Sequence, residues 1–392
     1  MDDARKNTSV FLEGDFSRKE RKDRKAGGPT SVSATIDRSE WKRVRLGEVC
    51  KPCRGVRVIR SQLSQGRYLV YQNSLIPLGH YDKCNTPANT TFVIAAGSAG
   101  EIGYCDEPFW AADDCFFLLP NENVISKFLY YNLAAQQKHI SGLVRRGSVP
   151  RLARDVVENL ALFLPDVKEQ CKIINALTVI DINISTIQSL IAKYEAIKKA
   201  TVNLVLKPKV AWRQISLGDI GDVLMCKRIL KNQTTKTGDV PFYKIGTFGR
   251  TPDSFISRAL FEDFKARFAY PQKGDVLLSA AGTIGRTVVF NGEDAYFQDS
   301  NIVWIDNDER AVTNRFLNVL YGQMNWQTEN GGTVSRLYNA NIRNTKIKIP
   351  SLSEQKRIVA ILDSIDGTIN GLKSQLAKAQ DIKQGMMSYF FG

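Results

Sequence analysis

The chain has 392 residues, 43% of them hydrophobic and 24% charged, with a formal net charge of +14. That length exceeds one ordinary core and suits two or three domains, and the excess charge favours a polyanionic partner. There is no run of about eighteen apolar residues, and the opening Met1-Asp2-Asp3-Ala4-Arg5-Lys6 has no apolar signal core, so a cytoplasmic protein with no membrane partner is expected.

Residues 1–40 carry the charge run Arg18-Lys19-Glu20-Arg21-Lys22-Asp23-Arg24-Lys25 and then a Gly/Pro/Ser stretch, which reads as a solvated, disordered arm. A globular unit is expected over 41–165. It opens with Trp41-Lys42-Arg43-Val44-Arg45-Leu46-Gly47-Glu48-Val49, and its β-like runs are Tyr68–Tyr71, Thr91–Ala95, Phe116–Leu119 and Leu160–Leu164. A helical stretch lies near Ser126–His139. Five of the seven cysteines fall in this unit. Cys50-Lys51-Pro52-Cys53 has zinc-knuckle spacing, but no second close pair follows, so reduced thiols and no metal are expected.

A helical spacer is expected over 166–206. Asp166 with Glu169 has capping-box spacing, and Lys207-Pro208-Lys209 stops the helix. A second globular unit fits 207–350, with β-like runs at Val276–Leu278, Thr287–Phe290, Ile302–Ile305 and Lys346–Ile349 and a helical stretch near Asn314–Trp326. A second spacer covers 351–392, with Ser351 and Glu354 as its capping pair.

The second half repeats the first. Trp212-Arg213-Gln214-Ile215-Ser216-Leu217-Gly218-Asp219-Ile220 copies the Trp41 segment, and Tyr243 copies Tyr71. Gly100-Glu101-Ile102-Gly103 aligns with Gly282-Thr283-Ile284-Gly285, and Gly147-Ser148-Val149-Pro150-Arg151-Leu152 with Gly332-Thr333-Val334-Ser335-Arg336-Leu337. Pro165 and Glu169-Gln170 recur as Pro350 and Glu354-Gln355. Ile173, Leu177, Ile180, Ile184, Ile187, Ile191 and Tyr194 step by four and three residues, the seam of a coiled coil. Their copies are Ile358, Leu362, Ile365, Ile369, Leu372, Leu376 and Ala379. Two matching seams in one chain are most simply each other's partners. The fold class is therefore α+β: two mixed α/β domains separated by two long helices in an antiparallel coiled coil, an internal repeat with pseudo-twofold character.

If the helices run antiparallel, the chain returns toward its first unit. A seam of 22 residues spans roughly 33 Å at 1.5 Å per residue, about ten base pairs or one DNA turn. Two unlike units then suit a split, asymmetric target.

The duplicated order of Trp-x4-Leu-Gly-[Glu/Asp], Gly-x-Ile-Gly, Pro-x3-Glu-Gln and a heptad helix resembles the specificity subunits of type I restriction-modification enzymes over residues 41 to about 390. The resemblance implies two target-recognition domains on double-stranded DNA, and helices that dock two modification (methyltransferase) subunits. It implies restriction subunits that complete a nuclease. S-adenosylmethionine, ATP and Mg would be used by the partner subunits and not bound by this chain. The charged arm, the cysteines and the looser first glycine motif depart from the pattern.

Candidate DNA contacts are the basic and amide side chains on loops beside the repeated motifs. In the first unit they are Lys51, Arg54, Arg57, Arg60, Gln72, Asn73, Arg145 and Arg146. In the second they are Lys227, Arg228, Lys231, Lys244, Arg250, Arg286, Arg336, Tyr338, Asn339 and Asn341. Arg and Asn can pair bidentately with guanine and adenine. Asn339 and Asn341 also suit turn caps, and the glycines suit tight turns. Partner contacts would come from the outer helix faces, at Lys168, Lys172, Lys356 and Arg357.

No Gly-x4-Gly-Lys-[Ser/Thr] loop, amino-methyltransferase signature or triad is visible, and the histidines are only His80 and His139, so no catalytic residue is expected. The rival readings are a single-chain restriction or methylation enzyme with a divergent site, and a non-enzymatic scaffold that binds RNA or protein.

Overall fold

The computed structural model describes residues 38–326 and 336–392. The charged arm up to residue 37, and Gly332–Ser335 of the second loop motif, lie outside the described residues. The chain divides into two compact units. The first runs to Ile174 and includes Met387–Gly392, and the second is Asn175–Met386.

Each unit repeats one topology. In the first, strands Cys50–Arg54, Cys115–Pro120, Thr90–Ile94 and Ile102–Cys105 form an antiparallel sheet in that order. Beside it lies a smaller sheet of Gly79–Tyr81, Tyr68–Tyr71 and Trp110–Ala111, the last two parallel. Strand Lys42–Arg45 pairs with Ala161–Leu164. In the second unit, Val223–Leu224, Ile302–Ile305, Val276–Ser279 and Thr287–Val289 make the same four-stranded order. Phe255–Ile256, Val240–Tyr243 and Tyr296–Phe297 make the three-stranded one, and Arg213–Ser216 pairs with Lys346–Ile349. The runs at Thr91–Ala95, Phe116–Leu119, Val276–Leu278 and Ile302–Ile305 are the central strands of the two large sheets, because they supply the apolar residues buried there, whereas Thr287–Val289 is an edge strand and Ala161–Leu164 and Lys346–Ile349 bury one face. Phe92, Val93 and Ile94, and likewise Leu277, Leu278 and Val303, are at most 1% exposed.

The motifs recur because the packing recurs. Leu46 and Leu217 are both fully buried. A Cβ on Gly47 would meet the Glu158 Cβ at 3.1 Å, and one on Gly218 would meet the Arg343 Cβ at 3.2 Å, so each glycine admits a short helix that crosses above it.

One alignment needs correction. The bridge Ala96–Arg151 matches Ala281–Arg336, so the structural counterparts are Gly97 with Gly282 and Gly100 with Gly285. All four have positive φ (+84°, +64°, +87° and +86°) and turn the hairpin. Gly103 instead lies within a strand, where a Cβ would come 2.3 Å from the Phe92 ring. The similar spelling Gly-x-Ile-Gly misled the alignment because it compared a turn with a strand. Gly100→Ala is expected to destabilise the first unit by about 1–2 kcal/mol through its left-handed backbone, measured by urea denaturation; an unchanged midpoint would contradict that.

Two long helices complete the chain. The central helix is Val167–Val205 and the C-terminal helix Leu352–Phe391. Both caps form as expected: the Glu169 amide donates to Asp166 Oδ1 at 2.8 Å, and the Glu354 amide to Ser351 Oγ at 3.3 Å. Within the second unit, Ile187, Ile191 and Ala379 form a cluster with Ile180, Ile184, Leu372 and Leu376. Lys383–Asp181, Lys373–Glu195 and Lys198–Asp366 ion pairs line its sides at 2.6, 3.0 and 2.6 Å. One helix ascends as its partner descends, so the coiled coil is antiparallel. The first and third of these pairs are repeat images of each other.

All fourteen expected seam residues are buried or half-buried. The central helix is long and apolar enough, by length and composition alone, to cross a membrane, with a hydropathy of 1.3. That value departs from the expectation of no such stretch. The middle seam residues of the central helix pack on the C-terminal helix, while Val179, Ile182 and Leu190 are exposed. At its far end the C-terminal helix belongs to the first unit. Arg38 donates to the carbonyls of Gly392 and, at 2.8 Å, of Tyr389, and Phe391 packs on Phe128 at 5.6 Å.

The thiols follow their burial. Desolvation, helped by Cys53, pushes Cys50 up to about 12, and desolvation does the same for Cys226. Cys84 and Cys171 are exposed. A thiol-specific reagent at pH 8 is therefore expected to modify Cys84 and Cys171 within minutes and to reach Cys50 and Cys226 only on unfolding. The sign for stability follows. Both thiols stay neutral in the folded chain, so their contribution is intact below pH 9 and is lost as pH rises toward 12. Labelling kinetics with peptide mapping checks the order.

Candidate DNA interface

Each unit carries an open cleft, and the two share the turn that enters the last strand of the large sheet and the arginine bridged to the glycine hairpin, Arg151 and Arg336, whereas Arg57 and Arg60 lie outside the first lining. The first has a volume of about 530 Å³ and is lined by Arg54, Arg145, Arg146, Arg151 and Arg154 with Asp113 and Asp114. The second has a volume of about 540 Å³ and is lined by Arg228, Lys231, Lys244 and Arg336 with Gln298, Asp299 and Asn301.

Local structure explains the clustering in the first cleft. Arg145 and Arg151 exchange both backbone hydrogen bonds, at 2.9 and 3.1 Å, which folds the Arg145–Arg151 loop back on itself. Arg54 donates its Nε to the Asp113 carbonyl at 2.9 Å. In the second cleft, Arg228 Nε donates to Asp299 Oδ2 at 2.8 Å, Arg336 Nη2 to the Ser300 carbonyl at 2.8 Å, and Lys244 pairs with Asp253 at 2.8 Å. Lys244 also holds the Asp253 carboxyl below its ordinary pKa by a hydrogen bond.

The basic loops are copies. Single-turn 3-10 helices at Arg60–Gln62 and Lys231–Gln233 are each closed by a glutamine: the Ile59 amide donates to Gln62 Oε1 at 3.0 Å, and the Leu230 amide to Gln233 Oε1 at 2.8 Å. Arg57 and Arg60 thus occupy the places of Arg228 and Lys231, and Val58 and Ile229 both anchor the loop in a core.

The other candidates are placed elsewhere. Lys51 and Arg54 were read as loop residues, but both belong to the strand Cys50–Arg54, because Cys50 and Pro52 alternate inward there. Lys51 borders a separate hollow with Glu48 and Leu119. The backbones of Gln72 and Asn73 brace Cys115 and the glycine turn through their carbonyls. Lys227 lies over the Phe268 ring at 5.0 Å. Arg250 borders an apolar hollow with Tyr243 and Phe297, and Arg286 donates to the Phe248 carbonyl at 3.0 Å. Tyr338 precedes the short helix Asn339–Asn344 and is 52% exposed; Asn339 and Asn341 lie in that helix, outside the cleft lining. Lys168, Lys172, Lys356 and Arg357 are exposed on the helices, and Lys172 pairs with Glu169 at 2.9 Å.

Sequence reasoning missed Arg151 and Arg154. Arg151 had a visible signal, since it is the repeat partner of Arg336. Among the described residues no three His, Cys, Asp or Glu side chains gather as a metal site.

One topology is repeated in both units, the two long helices pair with each other within the second unit, and each unit carries a basic cleft. The family model for the type I restriction modification DNA specificity domain matches residues 38–196 and again 209–379. A type I restriction enzyme specificity subunit of Haemophilus influenzae is 41% identical over 296 residues, covering 72% of this chain and 75% of that one. A type I specificity subunit of Mycoplasma pneumoniae is 23% identical over 358 residues, 88% of this chain and 95% of that one. The crystal structure of the S subunit from a type I restriction-modification system of M. genitalium shares the fold, with a TM-score of 0.65 at 18% identity over 90% of this chain and 96% of that one. This chain belongs to the type I restriction-modification DNA specificity family. It is a specificity subunit, a recognition component and not a catalytic one.

Proposed function

We propose that this subunit reads a bipartite, asymmetric duplex target, one half-site per unit, while its helices dock two modification subunits and set the gap. The observation that carries the reading is the pair of basic clefts. They overlap, in two copies of one topology, at Arg151 and its copy Arg336 and at the turn of Asp113–Asp114 and its copy Asp299–Asn301, and unlike residues line the rest of each. Overlapping placement favours two equivalent approaches to a duplex, and unequal lining favours two different half-sites. Docking is supported by outward apolar residues on the helices: Ile197 and its repeat copy Ile382 are 40% and 55% exposed. Apolar side chains left exposed on the flank of a seam suit a protein partner. Restriction subunits would join the same assembly, and S-adenosylmethionine, ATP and Mg would act on the partner subunits.

The test is a salt titration of DNA binding by the assembled complex. Each lost phosphate contact lowers the slope of log K against log salt by about 0.9. The double reversal Arg145→Glu and Arg146→Glu is therefore expected to weaken binding at least tenfold at ~0.1 M salt and to reduce the slope by about 2. An unchanged slope would remove the first cleft from the interface.

A further inference from the structure

In the second cleft, Asp299 is the one carboxylate among the described lining residues, facing Arg228, Lys231, Lys244 and Arg336. An acidic side chain opposes a polyanion, so its presence there asks for a purpose. The turn that carries it is also unusual. In the first unit this turn closes from Cys115 N to the Ala112 carbonyl, with Asp113 and Asp114 between. In the second it closes from Ile302 N to the Gln298 carbonyl, with Asp299, Ser300 and Asn301 between. The turn is one residue longer, and Ser300 accommodates the addition at φ +59°. A non-glycine residue there is uncommon and costly, and such strain persists mainly where it is used.

The longer turn brings Asp299 to Arg228. Its Oδ2 accepts from Arg228 Nε at 2.8 Å, and the Ser300 hydroxyl lies 3.2 Å from the same oxygen. Asp299 is 15% exposed as a side chain, whereas Arg228 is 67% exposed. The carboxylate is thus fixed and the guanidinium projects. Tying Nε leaves the two terminal NH2 groups of Arg228 with no hydrogen bond among the described residues, as a planar fork on an exposed side chain that lines the cleft. That fork matches the O6 and N7 acceptors of guanine in the major groove. Among the described residues the repeat counterpart Arg57 has no such carboxylate, and the matching turn in the first unit instead anchors Arg54 through the Asp113 carbonyl.

We propose that Arg228 reads a guanine in the half-site of the second unit, and that Asp299 is the positioning residue that holds its guanidinium for that contact. This rests on the bipartite reading above. The experiment selects a randomised duplex library with the assembled complex and sequences the bound fraction, for the wild type, Arg228→Lys and Asp299→Ala. The wild type is expected to give two blocks. In the second block, one guanine column should lose about 5- to 150-fold of its preference in Arg228→Lys, the worth of one bidentate pair. Asp299→Ala should relax the same column and leave the others intact. A merely structural ion pair would lower the bound fraction evenly and change no single column. Unchanged columns in both variants, or loss at a base other than guanine, would overturn the assignment while the two-block reading stands. A wild type without two blocks would overturn both.

Discussion

Replacing Gln170 or Gln355 by leucine is expected to lower the melting temperature of the unit concerned by roughly 10 °C or more. Both side chains are fully buried. The Ile125 amide donates to Gln170 Oε1 at 2.9 Å, and Gln170 Nε2 donates to the carbonyls of Asn123 and Pro165 at 2.8 and 3.0 Å. Gln355 repeats the pattern: it accepts from Thr313 and donates to Ala311 and Pro350 at 2.9, 2.9 and 3.0 Å. Each amide therefore joins the start of a long helix, the strand end before it and the loop that enters a core helix. Leucine fits the volume but leaves three backbone groups without that partner, one buried and two part-buried, at about 1–3 kcal/mol for each that water does not reach. Differential scanning calorimetry of the full chain measures the shift. A fall of less than about 3 °C would mean that those backbone groups find other partners.

The second large effect concerns spacing. Inserting one heptad into both long helices, between the paired segments that hold Lys198–Asp366 and Lys383–Asp181, preserves the seam while lengthening it by roughly 10 Å. At 3.4 Å per base pair that is about three base pairs. The lengthened protein is expected to lose the original target by a factor of at least ~10³, comparable to the gap between specific and nonspecific binding, and to select the same two blocks further apart. Selection from a random duplex library reads both effects. Retention of the original spacing would show that something other than the helices sets the interval.

Much of this architecture was legible in the chain. Heptads and capping pairs are local and periodic, so Ile187, Ile191 and Ile369 declare their burial, and Asp166 and Ser351 mark where each helix begins. The strands Tyr68–Tyr71, Ile302–Ile305 and Lys346–Ile349 fall where their apolar runs place them. What the sequence hid depends on distant contacts. The recurrence of Glu-Gln was visible, but nothing local says that the glutamine reaches back more than forty residues to bond a loop. The hairpin glycines were misaligned because spelling does not distinguish a left-handed turn from a strand packed under Phe92. Charge and position beside the repeated motifs point to Arg54, Arg145, Arg228 and Arg336, which line the clefts. That approach does not foresee that Arg151 and Arg154 join them or that Lys51 faces another hollow. Asp299 gave no signal, since its meaning lies in a turn one residue longer than its copy.

The central claim is that one chain joins two different DNA readers across a fixed interval. The most direct measurement is a map of every methylated base in DNA modified by the assembled complex. The account predicts one recurring motif of two short, unlike blocks separated by a constant unread gap, with a centre-to-centre distance near one helical turn. A single contiguous block, a palindrome, or a gap that varies from site to site would contradict it.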